Sequence, residues 1–163
     1  MTRVFISHKS EDAQKAYWVG QQFQRQGVSY YLDVLDDNLF GSGEILTNHL
    51  RNKLNECTHL LAIITNNTKI SWWVPFEIGL ATEREYPISS YVSYWDKQRL
   101  PDYLWKWPVL ESDQDLNNYI MLLKRDRTTL LNEEINKSIY TAKPKNYAEA
   151  FQKRMKILTG QLR

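Results

Sequence analysis

The chain has 163 residues, of which 42% are hydrophobic and 25% charged, with only 6 Gly and 5 Pro. This composition excludes collagen-like and low-complexity proteins and fits one globular domain that buries a core without disulfide staples. The single cysteine, Cys57, excludes an internal disulfide and a Cys-based zinc site and fits a reducing compartment. Residues 60–64 are the longest purely apolar stretch, too short to cross a membrane, and residues 1–5 lack a signal-peptide pattern. We therefore expect a cytoplasmic protein.

The net charge of +2 hides an uneven distribution. Residues 1–123 carry 11 basic and 15 acidic side chains, a net of −4, whereas residues 124–163 carry 10 and 4, a net of +6. A basic tail on an acidic body is compatible with binding RNA, lipid or an acidic partner. Because Glu133, Glu134 and Glu149 interrupt the basic residues, we favour a helical tail docked on its own domain. Neither nucleic acid nor a membrane is an expected partner.

The chain opens with a predicted buried strand over residues 2–6. Ser10 is a predicted N-cap for an amphipathic helix over 11–26, with Glu11 and Asp12 as acidic residues of its first turn. Gly27 stands where the C-terminal cap of this helix belongs. A strand over 28–32 follows.

A long loop rich in Asp, Asn and Gly is predicted over 33–43, a length that is often functional. A helix carrying Leu46, Leu50 and Leu54 comes next. Residues 59–64 form a continuously apolar strand, as expected in a parallel sheet that is covered on both faces. A polar turn is predicted just after this strand.

A third helix is predicted to begin near Trp72–Pro75 and to run to about Arg84. Strands are predicted at 88–93 and 107–110, and a helix with a capping-box start begins at Ser112. The rest is predicted to be mostly helical, with Asn146 and Glu149 as another capped start and with Tyr147, Phe151, Met155 and Leu158 on one side of the last helix.

This alternation of strand and helix predicts an α/β domain over 1–125 with a mostly parallel sheet. Residues 126–163 are predicted to be a basic helical extension packed on or beside that domain. Ligands of such sheets bind at the carboxyl ends of the strands. These ends are predicted at residues 7–9, 33–43, 65–73 and 93–97.

One carboxylate stands out in the stretch Ser71-Trp72-Trp73-Val74-Pro75-Phe76-Glu77. Pro75 must lie in the first turn of this helix, because the missing N–H of a proline is tolerated only there. Glu77 then lies near the positive end of the helix dipole, which favours an ionised carboxylate. A capping box or a pair with a Lys would explain the same spacing, so the spacing alone leaves the role of Glu77 open.

Other familiar chemical motifs are missing from the sequence. Gly41-Ser42-Gly43 lacks the third glycine of a dinucleotide fingerprint and the Gly-Lys-Ser/Thr end of a P-loop. The three histidines have no metal-like spacing, so we expect no metal site. Cys57 precedes an apolar strand, which favours burial over a nucleophilic role.

Five pieces of sequence together resemble the Toll/interleukin-1 receptor (TIR) domain family. They are the opening strand Val4-Phe5-Ile6-Ser7-His8, the strand ending at Asp33, the loop to Gly43, the strand 60–65, and Ser71-x-Trp73-x-x-x-Glu77. The resemblance covers roughly residues 2–125 and departs from the family in having Val74 where Cys is frequent. It implies a flavodoxin-like fold with about five parallel strands and helices on both faces.

The resemblance also implies a function. Stand-alone bacterial members, including those of Thoeris-type antiphage systems, cleave NAD⁺ at the nicotinamide–ribose bond, and Glu77 corresponds to their catalytic glutamate. The predicted substrate-binding residues are Ser7, His8, Lys9, Asp33 and Trp73, although Trp73 packing against the helix is an equal alternative. NAD⁺ is the expected substrate and no cofactor is expected.

The product is expected to be ADP-ribose or a cyclised or conjugated derivative, read by a separate effector protein. Self-association through TIR–TIR contacts is also expected. A non-catalytic assembly module and a nucleoside deoxyribosyltransferase-like enzyme remain alternatives. Five of the six Trp lie within 72–107, and we expect them partly to line or brace the nucleotide site.

Overall fold

The computed structural model describes residues 2–32, 43–92, 100–136 and 147–162, and side chains of the third range up to Asp126. Residues 33–42 of the long loop predicted at 33–43 therefore lie outside the described residues, and so do the segment 93–99 and the predicted cap at Asn146. Gly43 is the first residue of a helix.

Five parallel strands form one sheet in the order β2-β1-β3-β4-β5. The strands are β1 (Arg3–Ser7), β2 (Ser29–Leu32), β3 (His59–Ile64), β4 (Ile88–Val92) and β5 (Val109–Leu110). This is the strand order of flavodoxin-like folds, which confirms the predicted fold class. All six residues of the central strand β3 are buried, as its continuous apolar sequence predicts.

Helices cover both faces of the sheet: α1 (Ala13–Arg25), α2 (Gly43–Asn55), α3 (Trp73–Glu83), α4 (Asp113–Asn136) and α5 (Tyr147–Leu158). Side chains alternate along a strand, so the sheet separates two cores. Val4 and Ile6 pack with α1, α4 and α5, whereas Phe5 packs with α2 and α3. Within the described residues, no helix has both the length and the apolar character needed to cross a bilayer.

The two predicted caps of α1 have different outcomes. Gly27 has φ 73, and the Val28 N–H bonds the Phe23 carbonyl at 2.9 Å, so the predicted C-terminal glycine cap is confirmed. The prediction for Ser10 is wrong. Its hydroxyl donates to the carboxylate of Glu11 at 2.9 Å rather than accepting from a helix N–H, and α1 begins at Ala13 after a short 3₁₀ turn.

The C-terminal helices are part of the folded body. Phe151 and Met155 of α5 are fully buried, and the Phe151 ring meets Tyr119 of α4 edge-on at 5.7 Å. Leu158, the last residue of α5, was expected on the buried side but is half exposed. The predicted division at residue 125 falls inside α4, and the division into domain and extension stays a prediction.

We predict that Phe151→Ala lowers the free energy of unfolding by about 3–5 kcal/mol, because it leaves a cavity between α4, α5 and the sheet. Ile157→Ala on the exposed side of the same helix is the control, with an expected change within about 0.5 kcal/mol. Urea unfolding of the full chain measures both. Similar small losses in the two variants would mean that α5 contributes little to the core.

Candidate active site

The helix that carries Glu77 has a well-defined start. The Ser71 hydroxyl accepts hydrogen bonds from the N–H groups of Trp73 and Val74 at 3.2 and 3.3 Å, which caps α3. Pro75 is the third residue of α3, inside the first turn as predicted. Glu77 follows two residues later, so its carboxylate lies close to the N-terminal end of the helix dipole.

Glu77 is fully buried and is held by a residue far away in the chain. Its Oε2 atom accepts a hydrogen bond from the hydroxyl of Ser7, the last residue of β1, which is also fully buried. A buried carboxylate needs hydrogen-bond donors, and a hydrogen bond to a charged acceptor is among the strong ones. The contact joins α3 to the carboxyl end of β1, at the edge of the sheet where α/β folds bind ligands.

The register of the sheet explains how Glu77 reaches Ser7. Ser7 pairs with Ala62 of β3, and Ala62 pairs with Ser90 of β4. Ala62 belongs to the core beneath α2 and α3, so the small residues Ser7, Ala62 and Ser90 form one row across the sheet on that face. The row leaves space between α3 and the sheet for the carboxyl group.

A polar clamp fixes the two connections next to this contact. Asp12, which follows β1, accepts hydrogen bonds from Thr65 Oγ1 at 2.7 Å and from Asn67 Nδ2 at 2.8 Å. Thr65 and Asn67 follow β3, and the Asn67 N–H also donates to Thr65 Oγ1 at 3.0 Å. This clamp was not predicted from the sequence, because an acidic residue at position 12 is equally typical of the first turn of a helix. The available signal was an acid and a polar run placed just after two predicted strands.

The other predicted substrate-binding residues have different surroundings. His8 directly follows Ser7 and is buried, with 7% of its surface exposed. The Lys9 ammonium lies 2.7 Å from a carboxylate oxygen of Glu11, and this hydrogen bond from Lys9 lowers the pKa of Glu11 to about 2. The pair is partly exposed, with 19% of the Lys9 side chain and 51% of the Glu11 side chain accessible. Asp33 lies outside the described residues.

The tryptophans do not form one group. Trp73 is partly buried against the core beneath α3, and its ring centroid lies 5.6 Å from that of Phe76. Trp107 is only 6% exposed and packs in the same core. It therefore offers little surface to a ligand, and a role for it in bracing the nucleotide site stays a prediction. Trp72, by contrast, is 93% exposed. Trp95 lies outside the described residues.

Two other kinds of chemistry have little support at this site. Cys57 is buried, and burial raises the pKa of its thiol to about 11, so the thiolate that a nucleophile requires is scarce at neutral pH. Among the residues that the structure describes, no group of three or more His, Cys, Asp and Glu is placed to hold a metal ion.

An open cleft of about 670 Å³ lies at the opposite edge of the sheet. It is formed where β1 and β2 begin, and its lining is Arg3, Gln24, Gly27, Val28, Ser29, Tyr30 and Glu56. Arg3 and Glu56 form an exposed ion pair at 2.7 Å. We place the candidate site at the carboxyl edge instead, because parallel α/β sheets bind ligands there and because Glu77 lies there.

We predict that Asp12→Ala lowers the free energy of unfolding by about 1–3 kcal/mol, because Thr65 and Asn67 lose a partly buried acceptor. The neighbouring Glu11→Ala is the control, with a loss below about 1 kcal/mol, since it removes only an exposed carboxylate and its contacts with Lys9 and Ser10. Chemical denaturation measures both. Equal losses would show that the clamp has no special contribution.

Comparison with known proteins identifies a family and similar proteins. Residues 4–97 match the family model described as TIR domain. A relative from Bacillus cereus (strain MSX-D12), named "Probable 3' cyclic ADP-D-ribose synthase ThsB'", is 28% identical over 79 residues. That alignment covers 47% of this chain and 41% of the relative. The TIR domains of the activated Roq1 resistosome, which directly recognises the pathogen effector XopQ, align with 16% identity and a TM-score of 0.46, over 99% of this chain and 100% of theirs.

Proposed function

The chain belongs to the TIR domain family, and from that premise we propose that it cleaves NAD⁺ at the bond between nicotinamide and ribose. The observation that carries the proposal is the placement of Glu77. Its carboxylate is buried near the start of α3 and is bound to Ser7 at the carboxyl end of β1. The name of the Bacillus relative, a probable 3' cyclic ADP-D-ribose synthase, supports NAD⁺ as the substrate.

The proposed chemistry needs only one carboxylate. When the C1′–N bond breaks, its electron pair goes to the pyridinium nitrogen, and nicotinamide leaves as a neutral molecule without a general acid. The remaining ribosyl group carries positive charge, as in glycoside hydrolysis. The Glu77 carboxylate stabilises this charge electrostatically. Addition of water, with release of a proton, gives ADP-ribose, whereas attack by a hydroxyl of the same molecule gives a cyclic product.

We further propose that the product is a cyclic ADP-ribose isomer that serves as a signal in bacterial antiviral defence. The name of the relative supports cyclisation, and that alignment spans about two fifths of the relative's length. A closed site that excludes water favours an internal nucleophile over hydrolysis. NAD⁺ is then the substrate and no other cofactor takes part. A separate effector protein would read the product.

The same burial also favours a second candidate, a non-catalytic TIR–TIR assembly module. In that case Glu77 only ties α3 to β1, and the Ser7 contact is part of the folded core. The third alternative, a nucleoside deoxyribosyltransferase-like enzyme, is less well supported, because the matching family model is that of the TIR domain.

We predict that Glu77→Gln lowers the rate of nicotinamide release from NAD⁺ by about 10²–10³-fold, the usual loss when one electrostatic stabiliser is removed. Glutamine is nearly the same size and can still accept the Ser7 hydrogen bond, so the fold should persist. Glu83→Gln, an exposed residue of the same helix, should leave the rate unchanged. Mass spectrometry of the reaction products measures the rate and identifies the product.

Equal activity of both variants would contradict the assignment of Glu77. A wild-type protein that releases no nicotinamide at any concentration would favour the assembly module. Exchange of the base in a deoxynucleoside, without consumption of NAD⁺, would favour the deoxyribosyltransferase.

A further inference from the structure

We propose that Ser7 is a positioning residue that holds the Glu77 carboxylate, rather than a residue that contacts the substrate. This inference rests on the proposed function, because it assigns a partner to the proposed catalytic group. It replaces the expectation from the sequence that Ser7 contacts a phosphate or ribose.

The geometry supports this assignment in two ways. Ser7 and Glu77 are both fully buried, and the serine hydroxyl donates its single proton to Glu77 Oε2. That hydroxyl cannot donate to a phosphate at the same time. Ser7 also pairs with Ala62 in the middle of the sheet, so its hydroxyl is presented by a rigid strand rather than by a loop. Such support preorganises a catalytic group.

Ser90 provides a matched control for Ser7. It is also a fully buried serine, two strands away in the same row. Its hydroxyl has no hydrogen-bond partner among the described residues. Ser7→Ala and Ser90→Ala therefore remove the same atom from similar environments, and only the first removes a hydrogen bond to Glu77.

The test measures steady-state kinetics with NAD⁺ in the full chain. Ser7→Ala should lower kcat by about 10-fold or more, with KM changed less than about 2-fold, because a hydrogen bond to the charged group is lost. The acidic limb of its pH profile should move to higher pH, since the ionised carboxylate loses a donor. Ser7→Thr should restore much of kcat, and Ser90→Ala should match the wild type.

Two outcomes would overturn this proposal. A raised KM with unchanged kcat in Ser7→Ala would indicate a substrate contact. Equal losses of kcat in Ser7→Ala and Ser90→Ala would indicate a packing effect. An active Glu77→Gln would instead defeat the proposed function. The two failures are therefore distinguishable.

A second, independent observation concerns the edge of the sheet. Among the described strands, β5 pairs only with β4, and the Pro108 carbonyl accepts from the Ser90 N–H at 2.9 Å. The Val109 N–H and C=O point the other way, to the open side. There, Gln161 Oε1 accepts from the Val109 N–H at 3.1 Å, and Gln161 Nε2 donates to the Val109 carbonyl at 2.5 Å. One side-chain amide thus takes the place of a neighbouring strand's peptide group.

The end of α5 holds Gln161 in this position. Gly160 adopts φ 70, and the Gln161 N–H bonds the Lys156 carbonyl at 2.8 Å, which is a glycine-terminated helix end. The Lys156 ammonium also donates to the Trp105 carbonyl at 3.0 Å. Three hydrogen bonds from side chains to the backbone therefore fix the last residues against β5 and the segment before it. Two join Gln161 to Val109, and one joins Lys156 to Trp105.

We propose that Gln161 closes the β5 edge against strand addition by a second copy of this chain. An open edge offers unpaired N–H and C=O groups that pair readily with another strand. The second copy is the favoured occupant, because it brings an identical edge and can pair with it about a two-fold axis. The C-terminal segment then controls self-association independently of any catalytic activity.

Two measurements on the full chain test this edge cap. Gln161→Ala should speed hydrogen exchange of the Val109 amide by at least about 10-fold, and it should shift the mass in light scattering toward a dimer as concentration rises. Gln152→Ala on α5 is the control and should match the wild type in both. A Gln161→Ala protein with wild-type mass at all concentrations, or with unchanged Val109 exchange, would overturn the proposal.

Discussion

The hydrogen bond between Ser7 and Glu77 is the contact on which the candidate site depends. It joins the end of the first strand to the helix that follows the third strand, across 70 residues of sequence. A charged group in a fully buried position costs several kcal/mol unless donors compensate, so the position of this carboxylate follows closely from the position of the hydroxyl. The parallel register, the small Ala62 between them and the cap at Ser71 all serve to bring the two side chains together.

The surroundings of this contact form a rigid frame. The clamp from Asp12 to Thr65 and Asn67 holds the two connections beside the site at a fixed separation. On the other face of the sheet, α5 fills the core with Phe151 and Met155, and its last residues close the edge at β5. The described part of the basic tail, residues 147–162, is in this way packed on the folded domain, although the charge of the tail alone was compatible with binding an acidic partner.

Much of this architecture was predictable because it depends on local patterns. The continuous apolar run at 59–64, the glycine after α1 and the proline in the first turn of α3 each have one dominant structural reading. The Ser112 cap is of the same kind, with its hydroxyl accepting from the Asp115 N–H at 3.1 Å.

The parts that were not predicted depend on contacts between distant residues. No pattern near Ser7 shows that its hydroxyl faces Glu77, because that follows from the register of β1 on β3. Ser10 is not the cap because residues 10–12 form a 3₁₀ turn and α1 begins only at Ala13. The burial of Trp107 was not predictable for a related reason, since a tryptophan near a strand end packs in a core or lines a ligand site equally well. The pairing of Gln161 with Val109 links residues 52 apart and has no local signal.

The most direct test is a crystal structure of the chain with a carbocyclic NAD⁺ analogue, which cannot be cleaved. We predict that the analogue binds at the carboxyl edge of the sheet, with the C1′ position next to the Glu77 carboxylate and Ser7 still bound to that carboxylate. We also predict that binding opens the site enough to expose Glu77 to the ligand. An analogue bound instead in the cleft at the start of β1 and β2, beside Arg3 and Gln24, would contradict the account.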